Sequence, residues 1–270
     1  MKINRLVVPL LGVIFFGSVW AGAMGPDIKM DDWWLSEDAC PVSKILSTSY
    51  PWEHVMTASI GPAYNHDNGK SQTFYLRSDV KKTFEATPSS NVLLYGELFL
   101  GMQKQLTSLF ISQFGLSIAG STDANLSGDI WESADPDFNN HTYSYSVNEA
   151  RVTLTGKMFA DINYYDLLPY ASLDLGVGFN TAHGFTISPS IYKGVLPPNF
   201  GKNTETVFTY ALGFGIQKKI NDYWRTGIGY EFADWGSTLL APAPGQTLNK
   251  GLMLSHIYIS SLLLSITCAM

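Results

Sequence analysis

The chain has 270 residues, a formal net charge of -6, 46% hydrophobic and only 15% charged residues. That charge content lies well below the roughly 25% of soluble domains, and an acidic balance without a Lys/Arg cluster excludes nucleic acid as a partner. A mean hydropathy near zero excludes a bundle of membrane helices but suits alternating strands, in which apolar and polar residues average out.

The first residues read as a targeting segment. Lys2 and Arg5 form a positive start, Leu6 to Trp20 an apolar stretch, and Ala21-Gly22-Ala23 a small-residue cleavage site, so residues 1–23 are expected to be a cleaved signal peptide. Residues 24–52, with Trp33, Trp34 and a scatter of acids, follow no period and read as an irregular N-terminal arm. No later apolar run approaches the ~18 residues of a membrane helix.

From residue 53 onward the sequence alternates with period two in eight segments. The first spans about Glu53 to Tyr64. The second, Val92 to Gln105, sets Leu94, Leu98, Leu100 and Met102 against Tyr95, Glu97, Gly101 and Gln103. The third runs from Leu109 to Ala119. The fourth, Tyr143 to Ile162, sets Ala150, Val152, Leu154 and Met158 against Glu149, Arg151, Thr153, Thr155 and Lys157. The fifth, Pro169 to Asn180, places Asp174 among glycines and serine. The sixth sets Phe208, Tyr210, Leu212, Phe214 and Ile216 against Thr209, Ala211, Gly213, Gly215 and Gln217. The eighth is His256 to Met270.

The seventh segment, Trp224 to Trp235, is the most telling. Trp224, Thr226, Ile228, Tyr230 and Phe232 share one face; Arg225, Gly227, Gly229, Glu231 and Ala233 share the other. A soluble sandwich turns its bulky apolar face inward. Here the bulk belongs outside and the glycines inside, as when the apolar face looks at lipid. Strands cross a bilayer only as closed barrels, about 9–11 residues per crossing.

The segments are joined alternately by long and short connections, the order of a transmembrane barrel with short periplasmic turns and long external loops. The expected fold is therefore all-β: an eight-stranded antiparallel transmembrane β-barrel over 53–270, with four long extracellular loops. Its outer surface would include Phe208, Tyr210, Leu212, Phe214, Ile216, Ile228, Tyr230 and Phe232. Its inner positions carry Glu97, Glu149, Arg151, Lys157, Asp174, Arg225 and Glu231, four acids against three bases. Buried charges persist only when paired, so an ionic network filling the lumen is expected; the same charges lining a narrow ion pathway is the alternative. An even strand count brings Cys40 and Cys268 to one side of the membrane. There a disulfide is open to them in an oxidising compartment, although two cysteines also occur by chance.

The chain resembles the small outer-membrane β-barrel proteins with an OmpA/OmpW-type eight-stranded domain. The resemblance rests on the alternation, the loop order and the stretches GELFLGMQ (Gly96 to Gln103), LSGDIW (Leu126 to Trp131), LGVGFN (Leu175 to Asn180) and GIGYEFADWG (Gly227 to Gly236). It implies an integral protein of the Gram-negative outer membrane, inserted by the barrel-assembly machinery among outer-membrane lipids and lipopolysaccharide. Members of that family serve as structural or surface proteins, small porins or adhesins. The family commonly ends its last strand on an aromatic residue; this chain ends Ile266-Thr267-Cys268-Ala269-Met270. The chain reads as a monomer without a cofactor.

Catalysis finds little footing. An activated serine needs an adjacent base, and the five histidines are followed at the second position by Met56, Asn68, Tyr143, Phe185 and Tyr258. No Cys/His spacing matches a metal site. The acids Asp129, Glu132, Asp135 and Asp137 of the second long loop match no calcium loop. A structural or surface role, a small porin-like channel and a lipid-modifying enzyme are the three classes left, in that order.

Overall fold

The computed structural model describes residues 51–269 apart from 66–69, 79, 88–91, 133–134, 163–164 and 190–198. The signal peptide, nearly all of the N-terminal arm and Cys40 lie outside the described residues. No helix among the described residues is long and apolar enough to cross a membrane; strands do the crossing.

The strands are β1 (Glu53–Asn65), β2 (Gln72–Arg77), β3 (Val80–Ala86), β4 (Val92–Gln105), β5 (Phe110–Ser121), β6 (Ala124–Glu132), β7 (Asn139–Ala160), β8 (Leu167–Pro189), β9 (Asn203–Lys219), β10 (Trp224–Asp234), the short β11 (Thr238–Leu239) and β12 (Met253–Leu254), and β13 (Tyr258–Ala269). Eight of them, β1, β4, β5, β7, β8, β9, β10 and β13, pair in that order as antiparallel neighbours, and β13 returns to β1. A ring has no edge, so every ladder hydrogen bond is made inside the wall, which is what a bilayer demands. The last strand closes it on both sides: Cys268 stands opposite Met56 of β1 and opposite Trp224 of β10. Ile266 to Ala269 of the non-aromatic end are thus paired into the wall.

The side-chain alternation sorts the wall into two faces. Leu98, Leu100, Phe114, Leu116, Ile118, Leu154, Phe208, Leu212, Phe214, Ile216, Ile228, Leu264 and Ile266 all point outward and are exposed. A contiguous apolar belt of this extent is untenable in water, whereas each such Leu or Phe taken up by lipid contributes about 1.5–3 kcal/mol. Aromatic residues border the belt: Trp52, Tyr165, Tyr223 and Trp224 towards the short turns, Tyr64, Phe208 and Tyr230 towards the long connections. Such girdles mark the two water interfaces.

The long connections are more regular than the sequence suggests. Residues read there as a second polar loop, Gly120 to His141, contain β6, whose stretch LSGDIW pairs with the upper part of β7 (Leu126 with Tyr145, Ile130 with His141). The first long connection folds into the β2–β3 hairpin, and β3 pairs with β6. β8 continues to Pro189, nine residues past the expected end at Asn180. The barrel wall therefore extends beyond the apolar belt, and there its outer face changes character: Thr142, Ser144, Thr186 and Ser188 are exposed in place of Leu and Val. Ser144 and Thr186 hydroxyls bond across strands at 2.8 Å, and Ser146 donates to Asn125 at 2.8 Å.

Candidate functional site in the barrel lumen

The interior can be followed from the short-turn end upward. The mouth is a polar cavity of about 380 Å³ lined by Glu53, Gln103, Asp161, Asp166, Lys219 and Arg225. Lys219 pairs with Asp161 at 2.5 Å, and Gln103 donates to Glu53 at 2.5 Å. Above it Ile111, Phe159 and Leu168 form a small apolar layer with Tyr170 against it, the Phe159 and Tyr170 rings 5.2 Å apart. Tyr170 faces Gly215 of β9, which in turn faces Gly229 of β10. A Cβ at Gly229 would overlap the Tyr170 hydroxyl, and one at Gly215 would lie 2.8 Å from its ring. Gly229 of the seventh segment and Gly215 of the sixth leave room for this tyrosine.

The charged layer comes next. Arg151 of β7 is 1% exposed and reaches across the lumen to Glu231 of β10 at 2.6 Å, with Glu97 of β4 at 4.0 Å. The same Nη2 donates to the Tyr95 hydroxyl, and the guanidinium lies 5.3 Å from the Tyr95 ring centroid. Lys157 pairs with Glu97 at 3.6 Å and sits 4.8 Å above the Phe99 ring. Asp174 accepts from the Thr155 hydroxyl, which also bonds Ser117 at 2.7 Å. Gln113 donates to Gln103 at 3.1 Å, and Gln217 to Thr267, itself bonded to Thr57 at 2.8 Å.

Of the seven charged inner residues of the sequence reading, the structure brings Glu97, Arg151, Lys157 and Glu231 into one cluster. Asp174 stands beside it on the Thr155 hydroxyl. Glu149, 3% exposed, finds no hydrogen-bond partner for either oxygen among the described residues, and neither do Nε and Nη1 of Arg151. Arg225 is elsewhere: it lies at the short-turn mouth, where its nearest opposite charges are Glu53 and Asp161. The layer is consequently acidic, with Glu97, Glu149, Asp174 and Glu231 against Arg151 and Lys157. Phe208, Tyr210, Leu212, Phe214, Ile216, Ile228, Tyr230 and Phe232 all stand on the outer face. Cys268 is half-buried and in phase with the outward Leu262, Leu264 and Ile266.

The upper lumen is apolar. Trp235, Leu240, Leu252, Leu254 and Ile257 of the fourth long connection are buried with Leu93, Tyr95, Ala211, Val147 and Phe185 of the wall. This connection is fastened into the barrel: Asn180 donates to the carbonyls of Trp235 and Ser237 at 2.7 and 2.8 Å, Thr209 to that of Asp234 at 2.8 Å, and Asn203 to that of Leu239 at 3.0 Å. The plug escapes a periodicity reading because its apolar residues are spaced irregularly between Pro242, Pro244 and Gly245.

Closed eight-strand ring, lipid-type outer face and packed interior together define a small transmembrane β-barrel. In fold the chain is similar to Neisserial surface protein A (8% identity, TM-score 0.41, covering 80% of this chain and 96% of that one). It is also similar to the outer membrane protease OmpT from Escherichia coli (8%, 0.45, 81% and 97%) and to the outer membrane protein OprG from Pseudomonas aeruginosa (13%, 0.45, 79% and 95%). No protein-family model matches the sequence, and no curated protein sequence matches it.

Proposed function

We propose that the protein is an integral outer-membrane barrel with a structural or surface-interaction role and without catalysis, its lumen sealed by side chains. Its long-loop end faces outside the cell and its short-turn end the periplasm. The observation that supports this most is the series of fillings along one axis: the apolar layer at Phe159 and Tyr170, the ionic layer around Arg151, and the plug at Trp235 and Leu240. An eight-strand barrel is only wide enough for its own side chains, and here three kinds of side chain occupy it in turn. What remains for interaction is the extended wall and the connections above the belt.

Liposome swelling tests this. Vesicles carrying the inserted protein should take up small sugars no faster than empty vesicles; uptake graded by solute size would mean a pore instead. The buried polar atoms of Glu149 and Arg151 that lack partners among the described residues favour one second reading, a narrow hydrated ion pathway, because such groups are where water enters a protein interior.

A further inference from the structure

At the long-loop end, residues 70–72 of the first connection and 253–256 of the fourth enclose a cavity of about 370 Å³, with Tyr258 of β13 on its membrane side. The two walls are sewn together. Gln72 Nε2 donates to the Met253 carbonyl at 2.7 Å, and the Met253 amide donates to Gln72 Oε1 at 3.0 Å, so the side-chain amide pairs with the backbone as a neighbouring strand would.

The lining carries Lys70, Ser71, Ser255 and His256. His256 is held in place: Nδ1 bonds Asp234 Oδ2 at 2.9 Å, and the ring lies flat on Tyr258, 5.6 Å between centroids with 4° between planes. Asp234 spends its other oxygen on the Gly236 amide at 2.8 Å. With Nδ1–H given to Asp234, Nε2 is the ring nitrogen left for a ligand, and it donates to an anion as the imidazolium; the side chain is 56% exposed. An ammonium, an imidazolium and two hydroxyls around one cavity are the donor set of a phosphate site. Phe232 stacks on Tyr258 at 5.9 Å, continuing the aromatic girdle, so the cavity lies at the height where headgroups begin.

We propose that this cavity binds the phosphate of a phosphorylated glycolipid headgroup in the leaflet facing the long-loop end, with Lys70 and His256 on the phosphate and the exposed edge of His256, stacked on Tyr258, against the sugar. The inference rests on the outer-membrane reading. It gives the extended wall a lipid partner and ties the first and fourth connections to it.

The test uses the full chain refolded into phosphatidylcholine vesicles containing a phosphorylated diglucosamine lipid or its dephosphorylated form, with bound lipid counted by native mass spectrometry. Phosphorylated lipid should be retained preferentially. Lys70→Ala should weaken it roughly fivefold, the scale of one exposed charge contact, while Lys70→Arg keeps it and the dephosphorylated lipid is indifferent to either. Equal retention of both lipids, or no effect of Lys70→Ala, overturns the site. Full displacement by inorganic phosphate overturns the glycolipid as its occupant and makes it a free-anion site. Insertion is read separately from heat-dependent gel migration: a chain that does not insert overturns the membrane reading and this one with it, whereas one that inserts without discriminating overturns the site alone.

Discussion

Arg151 Nη2 meets Glu231 Oε1 at 2.6 Å across the middle of the barrel, joining β7 to β10, strands that are not neighbours in the wall. Both side chains are buried, so removing one leaves the other as an uncompensated charge. Arg151→Ala should destabilise the folded barrel by about 3–5 kcal/mol, and Glu231→Gln by less because Arg151 keeps Glu97 and Tyr95. Urea unfolding in detergent micelles, followed by tryptophan fluorescence, measures both.

Tyr170 and Gly229 are coupled by volume. Gly229→Ala should cost about 1–3 kcal/mol, as overpacking does. Since the Tyr170 hydroxyl is the atom its methyl would meet, Tyr170→Phe should recover most of that loss. A double-mutant cycle on unfolding free energy reads the coupling; strict additivity would show that the methyl is accommodated by wall movement.

The belt makes a positional prediction. Leu212→Arg, on the outer face between Tyr210 and Phe214, should cost about 2–4 kcal/mol in bilayers. Thr186→Arg, on the outer face of the same wall above the belt, should change stability little. Equal costs would misplace the membrane.

Tyr143 lies in the extended wall above the belt, and burial pushes its phenol well up, with Glu85 and Asp129 adding in the same direction. The neutral form is favoured in the folded state, so this contribution is whole below the unfolded value of about 10 and is lost as pH rises above it. Stability should fall above about pH 10, less steeply in Tyr143→Phe. Unfolding midpoints across that range check it.

Much of this was legible in the residues. Period-two alternation located all eight spanning strands, and the order of long and short connections set their closure, because lipid forces a one-face rule on every crossing. Leu126 to Trp131 pairs as β6 although its pattern suggests a loop: flanked by Ser121, Thr122, Asp123 and a run of acids, it lacks the apolar outward face that makes a lipid-exposed strand visible. The charges of the lumen were identifiable as inward residues, but height along the axis was not. Arg225 and Arg151 both face inward, yet Arg225 is the second residue of β10 and sits at the mouth with Glu53, whereas Arg151 lies midway along the long β7 and meets Glu231 at mid-barrel. The plug at Trp235 and Leu240 depends on a connection folding back onto wall residues such as Asn180 and Thr209, and the cavity at Lys70 and His256 on two connections more than 170 residues apart folding against each other, which no local pattern records.

Single-channel recording from the refolded chain in planar bilayers tests the sealed lumen most directly, with insertion confirmed on the same sample. The expected result is a membrane without discrete steps for the wild type, and equally for Trp235→Ala combined with Leu240→Ala, because the layers at Arg151 and at Phe159 still fill the lumen below the plug. Discrete, repeatable steps from the wild type would contradict a sealed lumen and make the charged layer around Arg151 the lining of a conducting path.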